Sequence, residues 1–219
     1  LKAQLTAGDI LGQYLAVNRD LPAADRVTNI VFMGMGEPLD NYQPVVEAIR
    51  LLISPTAVRF PTRKVTLSTA GLVDKIQLFD QENLPVNLAV SLNATENRTR
   101  DQIMPINRKY PIEILLNCLE EYQIRPNRRI TFEYVLLQGI NDSQEDALRL
   151  ARLLRRIPCK INLIPFNGFA GSPYRAPSAG QVSVFQDLLI ARHYSVFVRK
   201  NRGTDILGAC GQLAAESLR

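Results

Sequence analysis

The chain has 219 residues, 46% hydrophobic and 21% charged, which supplies a buried core and excludes an intrinsically disordered segment. A net charge of +5 and a pI of about 9.3 point to an anionic partner, with RNA the natural candidate, or else to a Lys/Arg-rich enzyme surface. No apolar run reaches the ~20 residues of a membrane span, and three widely separated cysteines, Cys118, Cys159 and Cys210, exclude a disulfide scaffold and suit a reducing, cytoplasmic compartment.

The opening LKAQLTAGDI has no Met and neither signal- nor transit-peptide character, so the chain is expected to begin inside a longer protein. LTAGDILGQYL predicts a helix capped by Thr6 with Asp9 at N3. Six β-rich runs follow at 29–35, 64–69, 86–92, 129–137, 159–166 and 194–200. Helical period separates several of them, in PIEILLNCLEEYQ, SQEDALRLARLLRRI and SAGQVSVFQDLLIARH. In the second of these, Ala147, Leu150, Ala151 and Leu154 form one apolar stripe, Ser143 caps, Asp146 stands at N3, and Glu145 and Arg149 are spaced for an i,i+4 pair. The proline-rich stretches 55–61 and 173–177 read as loops within one domain spanning 1–219. Alternating strands and helices predict an α/β fold of parallel strands, and the nearly continuous apolar runs predict a sheet covered on both faces.

Small, polar and ionisable residues collect where each strand stops. They include Gly36 and Glu37, Ser68, the stretch Ser91-Leu92-Asn93, Asn141, Asn167, and Arg199, Lys200 and Arg202. In parallel α/β folds the carboxyl edge of the sheet is the ligand edge. GMGEP is not a dinucleotide fingerprint, because Pro38 interrupts it. A carboxylate at Glu37, directly after a buried strand, needs a partner: either a ligand ammonium group or a neighbouring Lys or Arg. Ser68, Ser91, Asn93 and Asn167 offer hydroxyl and amide groups to a ligand, or serve local turns. Arg98, Arg100, Arg108 and Lys109 follow the third strand and, with Arg199, Lys200 and Arg202, fall on the same rim, where they suit phosphate contacts. Arg125, Arg128 and Arg129 fall on the opposite rim and read as solvated surface. His193, the only histidine, is expected as a helix-terminal cation. Cys118 and Cys159 read as small core residues. Cys210, framed by Gly208, Ala209 and Gly211 after a basic run, has the setting of an accessible, reactive thiol.

VFMGMGEPLDNY, TLSTAG, LAVSLNA, RITFEYVLLQGIND, KINLIPFN and RGTDILGACGQL together resemble the RlmN-type radical S-adenosylmethionine (SAM) adenine-C2 RNA methyltransferases, in that family's order and over essentially the whole chain. The resemblance implies an incomplete (β/α)6 TIM-like barrel lacking its first strand and amino-terminal domain. It assigns Gly36, Glu37, Ser68, Ser91, Leu92, Asn93 and Asn167 to SAM, and Cys210 to carrying the methyl group as S-methylcysteine. It implies 23S rRNA and tRNA as substrates, a [4Fe–4S] cluster in the full-length protein with an electron donor that reduces it, and a monomer without membrane contact. The family's C-x-x-x-C-x-x-C cluster motif and its second catalytic cysteine have no counterpart here, so the chain alone is expected to be inactive. Methylation at adenine carbon-8 and a catalytically inactive RNA-binding barrel are the competing readings.

Overall fold

Six of the apolar runs become six parallel strands, in a computed structural model that describes residues 4–33, 36–169 and 171–199. The strands are β1 (Ile30–Phe32), β2 (Val65–Thr69), β3 (Asn87–Ser91), β4 (Ile130–Leu136), β5 (Cys159–Pro165) and β6 (Ser195–Val198). They pair in sequence order, all parallel, to give one sheet β1-β2-β3-β4-β5-β6. Parallel neighbours need long crossovers. Helix α1 (Ala7–Asp20) precedes β1, and the crossovers are supplied by α2 (Tyr42–Ile53), α3 (Val73–Gln81), α4 (Asn97–Ile103), α5 (Ile112–Glu121), α6 (Gln144–Leu153) and α7 (Ala179–Ile190).

The predicted caps form. Thr6 and Asp9 close a capping box on α1, and Ser143 and Asp146 close one on α6. The expected Glu145–Arg149 pair does not form. Arg149 turns instead to Asp146 at 2.7 Å and Glu96 at 3.7 Å, because Asp146 is also drawn inward by the Thr95 hydroxyl at 2.8 Å. The two proline-rich stretches are loops, and Gln138 N–H donates to Arg175 C=O at 2.9 Å to pin the second one to the end of β4.

The expectation of a sheet covered on both faces is corrected. Residues alternate sides along a strand, and laterally paired residues share a side. Ile130, Phe132, Tyr134 and Leu136 of β4 and Ile161 and Leu163 of β5 are buried against the helical layer, which contributes Ile49, Phe79, Leu119, Leu150 and Phe185. Burying each such side chain fully is worth about 1.5–3 kcal/mol. The opposite face carries Thr66 and Ser68, then Ser91, Thr131 and Glu133, then Lys160 and Asn162, in lateral register. Most of these are half-exposed, and β4 alternates buried and half-buried along its whole length. One face of the sheet is therefore core, and the other is a polar floor leading to the carboxyl edge.

Candidate active site

Glu37 sits just past β1 and caps a short 3-10 turn at Pro38–Asn41. Oε1 accepts the Leu39 N–H at 3.0 Å, and Oε2 accepts the Ala70 N–H, at the end of β2, at 2.7 Å. The carboxylate thus ties two strand ends together. Burial raises its pKa above the ordinary value; the N–H groups of Ala70 and Leu39 and the Thr69 hydroxyl pull the other way, and Asp40 adds to the rise. Among the described residues Glu37 has no ion pair, so the alternative of a neighbouring Lys or Arg partner is not realised. Gly36 holds φ = 138°, which a side chain would strain.

Ser68 is buried within β2, and Ser91 is half-buried at the end of β3, on the polar floor. Leu92 is corrected: it is fully buried in the core, with its N–H on Glu133 C=O at 3.0 Å, so its side chain faces no ligand. Asn93 adopts φ = 59° and spends its amide locally. Its Oδ1 accepts Val135 N–H at 2.9 Å and its Nδ2 donates to Met104 Sδ at 3.1 Å. Asn167 is half-buried, two residues beyond β5. Beside it, Phe166 meets Tyr174 edge-on with centroids 6.1 Å apart, and Phe169 at 6.3 Å.

Arg100 is the largest correction. Expected on the rim for phosphate contact, it is completely buried. All five of its N–H donors are taken: Nε by Leu92 C=O (3.0 Å), Nη1 by Asn107 Oδ1 (3.0 Å) and Tyr110 C=O (3.4 Å), and Nη2 by Ala70 C=O (2.9 Å) and Ser91 C=O (3.2 Å). Burial pushes its pKa down to about 10, which leaves it charged at neutral pH. Gly71, at φ = 105°, clears the space; a Cβ there would lie 3.0 Å from Leu115 Cδ2 and 3.4 Å from Arg100 Nη2.

Arg98, Arg108 and Arg199 are exposed. Lys109 is exposed too, 3.8 Å from Asp74 and above the Tyr110 ring at 4.7 Å. Cys210, Lys200 and Arg202 lie outside the described residues, as do Gly34 and Met35. Cys118 and Cys159 are buried, and burial pushes their thiols up to about 11 and about 12, so neither is a thiolate at neutral pH.

Sequence reasoning missed Glu133 and Asn162, 3.4 Å apart on the polar floor. It also missed the structural role of Asn141, which is buried and fully bonded: Nδ2 to Asn93 C=O and Val135 C=O, both 2.7 Å, and Oδ1 from Leu137 N–H at 2.7 Å. The strict alternation of T-x-E-x-V in β4 and K-x-N-x-I in β5 was the available signal for the first pair.

Three kinds of comparison agree with this architecture. The chain is 53% identical, over 99% of its length, to the dual-specificity RNA methyltransferase RlmN of Anaeromyxobacter sp. (strain Fw109-5), and 49% identical over 98% to that of Syntrophobacter fumaroxidans. It spans 59% and 63% of those proteins, about three fifths of their length. A crystallised radical SAM methyltransferase from Sphaerobacter thermophilus superposes with a TM-score of 0.91, at 43% identity over 97% of this chain and 62% of that one. A domain of the pyruvate-formate lyase-activating enzyme of Bacteroides vulgatus, 13% identical, shares the fold at a TM-score of 0.60. The profile of the Radical SAM superfamily matches residues 15–151, well over half of the sequence, and the chain belongs to that superfamily.

Proposed function

We propose that the chain is the catalytic barrel of an RNA methyltransferase that modifies carbon-2 of adenine in 23S rRNA and tRNA. One observation carries the reading: about half of the residues, across nearly the whole chain, are shared with proteins named dual-specificity RNA methyltransferase. The activity is proposed of the whole protein, since the chain spans about three fifths of the length of those relatives.

The residues present fit SAM. Glu37 is a carboxylate at the ligand edge whose pKa burial raises and which has no cation among the described residues, so an ammonium group is its natural counterpart. Gly36, Ser68, Ser91, Asn93 and Asn167 border the same edge. When bound, SAM supplies the methyl group. Cys210 carries it as a thioether to the adenine, which must leave its stack to reach the sheet edge at a cost of a few kcal/mol. Exposed Arg98, Arg108, Lys109 and Arg199 offer cations to the RNA backbone around that edge; Lys200 and Arg202, outside the described residues, are assigned the same role from the sequence alone. The residues of this chain do not fit a [4Fe–4S] cluster: no group of three or more Cys, His, Asp or Glu suited to a metal occurs among the described residues, and two of the three cysteines are buried thiols. No helix among the described residues is long and apolar enough to cross a membrane.

The test uses the full-length protein, prepared anaerobically and incubated with SAM and 23S rRNA or tRNA. Mass spectrometry of the digested RNA is expected to yield 2-methyladenosine, and the peptide containing Cys210 to be heavier by one methylene. 8-Methyladenosine would assign the alternative regiochemistry. Unmodified RNA with cluster and SAM intact would overturn the reading.

A further inference from the structure

The edge of the sheet opposite the candidate active site holds a second feature. A cleft of about 530 Å³ opens where β4, β5 and β6 begin and where α6 and α7 end. Arg129, Arg152, Arg155 and Arg192 line it together with His193 and Tyr194, and no Asp or Glu does. The helix ends explain one part of this: cations near a helix carboxyl terminus offset its partial negative charge. Helix α7 stops at Ile190, earlier than the sequence suggests, and His193 turns the chain at φ = 65°, its N–H on Ile190 C=O at 2.8 Å and that of Tyr194 on Leu189 C=O at 3.2 Å. That turn brings Arg192 and His193 to the mouth of the cleft.

Helix ends do not explain why these charges are left unmatched. In the adjoining groove between α5 and α6, Arg156 pairs with Glu120 at 3.1 Å, and Arg149 with Asp146 and Glu96. Among the described residues, none of the four arginines of the cleft has a carboxylate partner. Arg129 donates to the Ser195 hydroxyl at 2.8 Å and Arg192 to Leu188 C=O at 2.9 Å, which orients them without neutralising them. All four are exposed. Arg152 and Arg155 face both openings, but the adjoining groove sets Glu113 and Glu120 among its arginines, whereas the cleft gathers four guanidinium groups and no carboxylate. Guanidinium is the side chain suited to bidentate phosphate contact.

We infer that this cleft docks the phosphodiester backbone of the RNA substrate at a point remote from the reacting base. The inference rests on the RNA-methyltransferase reading above. Strands β4 and β5, of seven residues each, separate the two edges by roughly 20 Å. A short stem with its base in the active site does not extend to the far edge. A large folded RNA does. The cleft therefore discriminates for tertiary structure: it adds affinity for an rRNA domain or a whole tRNA and none for a minimal hairpin.

The test is RNA binding and methylation by the full-length protein carrying Arg152→Gln, Arg155→Gln and Arg192→Gln together, with single variants and an Arg155→Glu reversal beside it. Thermal unfolding checks that each is folded. An Arg19→Gln/Arg26→Gln/Arg63→Gln protein, equally exposed but elsewhere, is the control. For a folded RNA, affinity is expected to drop about 10-fold or more, and the slope of log K against log salt to fall by about 2–3, one phosphate contact per arginine. For a hairpin bearing the target adenine, kcat/KM and affinity are expected to stay at the unaltered protein's value. Equal loss for both RNAs would mark a long-range field instead of a docking site and would overturn the inference, as would no loss for either. Loss of poly-glutamate binding alone would assign the cleft to an acidic protein and overturn it too. If the unaltered protein neither binds nor methylates RNA, the enzymatic reading itself has failed; if it does both and the triple variant matches it, only the cleft has.

Discussion

Glu37 concentrates the chemistry of the candidate site in one ionisation. Its two oxygens are held by the Leu39 and Ala70 N–H groups, so the charge is aimed, while burial lifts its pKa above the ordinary value. A carboxyl with a raised pKa takes up a proton, on acidification, before an exposed one does. Protonated Glu37 no longer attracts an ammonium group, so SAM affinity of the full-length protein is expected to weaken as pH falls through that raised value, above the range where ordinary carboxylates titrate. The folding linkage has the opposite sign. The folded state binds this proton more tightly than the unfolded chain, so the group's contribution to stability is fully present below the unfolded pKa and is lost as pH rises through the folded one. Glu37→Gln is expected to weaken SAM binding about tenfold or more, since a hydrogen-bonded charge is worth about 1.5–3 kcal/mol, and to flatten the pH profile. Calorimetric titration at several pH values checks both; a Gln variant with the parent's affinity would remove Glu37 from the cofactor site.

Helix α4 shows how an element can look like surface and act as scaffold. Its sequence, NRTRDQI, has no apolar stripe, and its one fully buried side chain is a charged one, Arg100. Hydrophobic period cannot reveal such a helix. Helix α2 was obscured differently, by Pro44 in its first turn. The four central strands, by contrast, were legible to within a residue at each end, because their core-facing positions are mostly Ile, Leu, Val and Phe, while β1 and β6 are shorter than the runs 29–35 and 194–200 suggested; what the apolar runs concealed was the polar alternate register that makes the second face a floor. Asn141 and Arg100 escaped because a satisfied buried polar group reads, in sequence, like any turn or surface residue. Arg100 binds the ends of β2 and β3 through Ala70, Ser91 and Leu92, and the Ala70 N–H is the one that holds Glu37. Arg100→Met strands those carbonyl groups and is expected to cost about 3–5 kcal/mol, a fall in Tm on the order of 10 °C. Arg100→Lys recovers only part, since an ammonium group has three donors for five acceptors. If Arg100 also positions the site, the Lys variant, where folded, loses SAM affinity beyond what its stability predicts; a Met variant with the parent's Tm would end the scaffold argument altogether.

At the scale of the whole molecule, the two cysteines among the described residues are held as buried, protonated thiols. Iron–sulfur clusters are held by several thiolates, and a thiolate needs exposure or a nearby cation. Cys118 packs within α5, its thiol donating to Val73 C=O at 4.0 Å, and Cys159 opens β5 against the helical layer; burial raises both pKa values. Arg129 pulls Cys159 back toward ionisation but does not offset its burial. Cys210, outside the described residues, is the one remaining sulfur of a cysteine in the sequence, and one thiolate does not hold a cluster. The 219-residue chain, reconstituted anaerobically with iron and sulfide and then desalted, is therefore expected to retain no stoichiometric iron and to show no iron–sulfur absorption. It is still expected to bind SAM in a manner that depends on Glu37, because the Leu39 and Ala70 N–H groups that aim this carboxylate belong to this chain. Stoichiometric iron that survives replacement of Cys210 by Ala would mean that the buried thiols can ionise and converge, which the packing of α5 and β5 forbids. Iron that disappears with Cys210 would instead mark that single thiol as a ligand and remove it from methyl transfer.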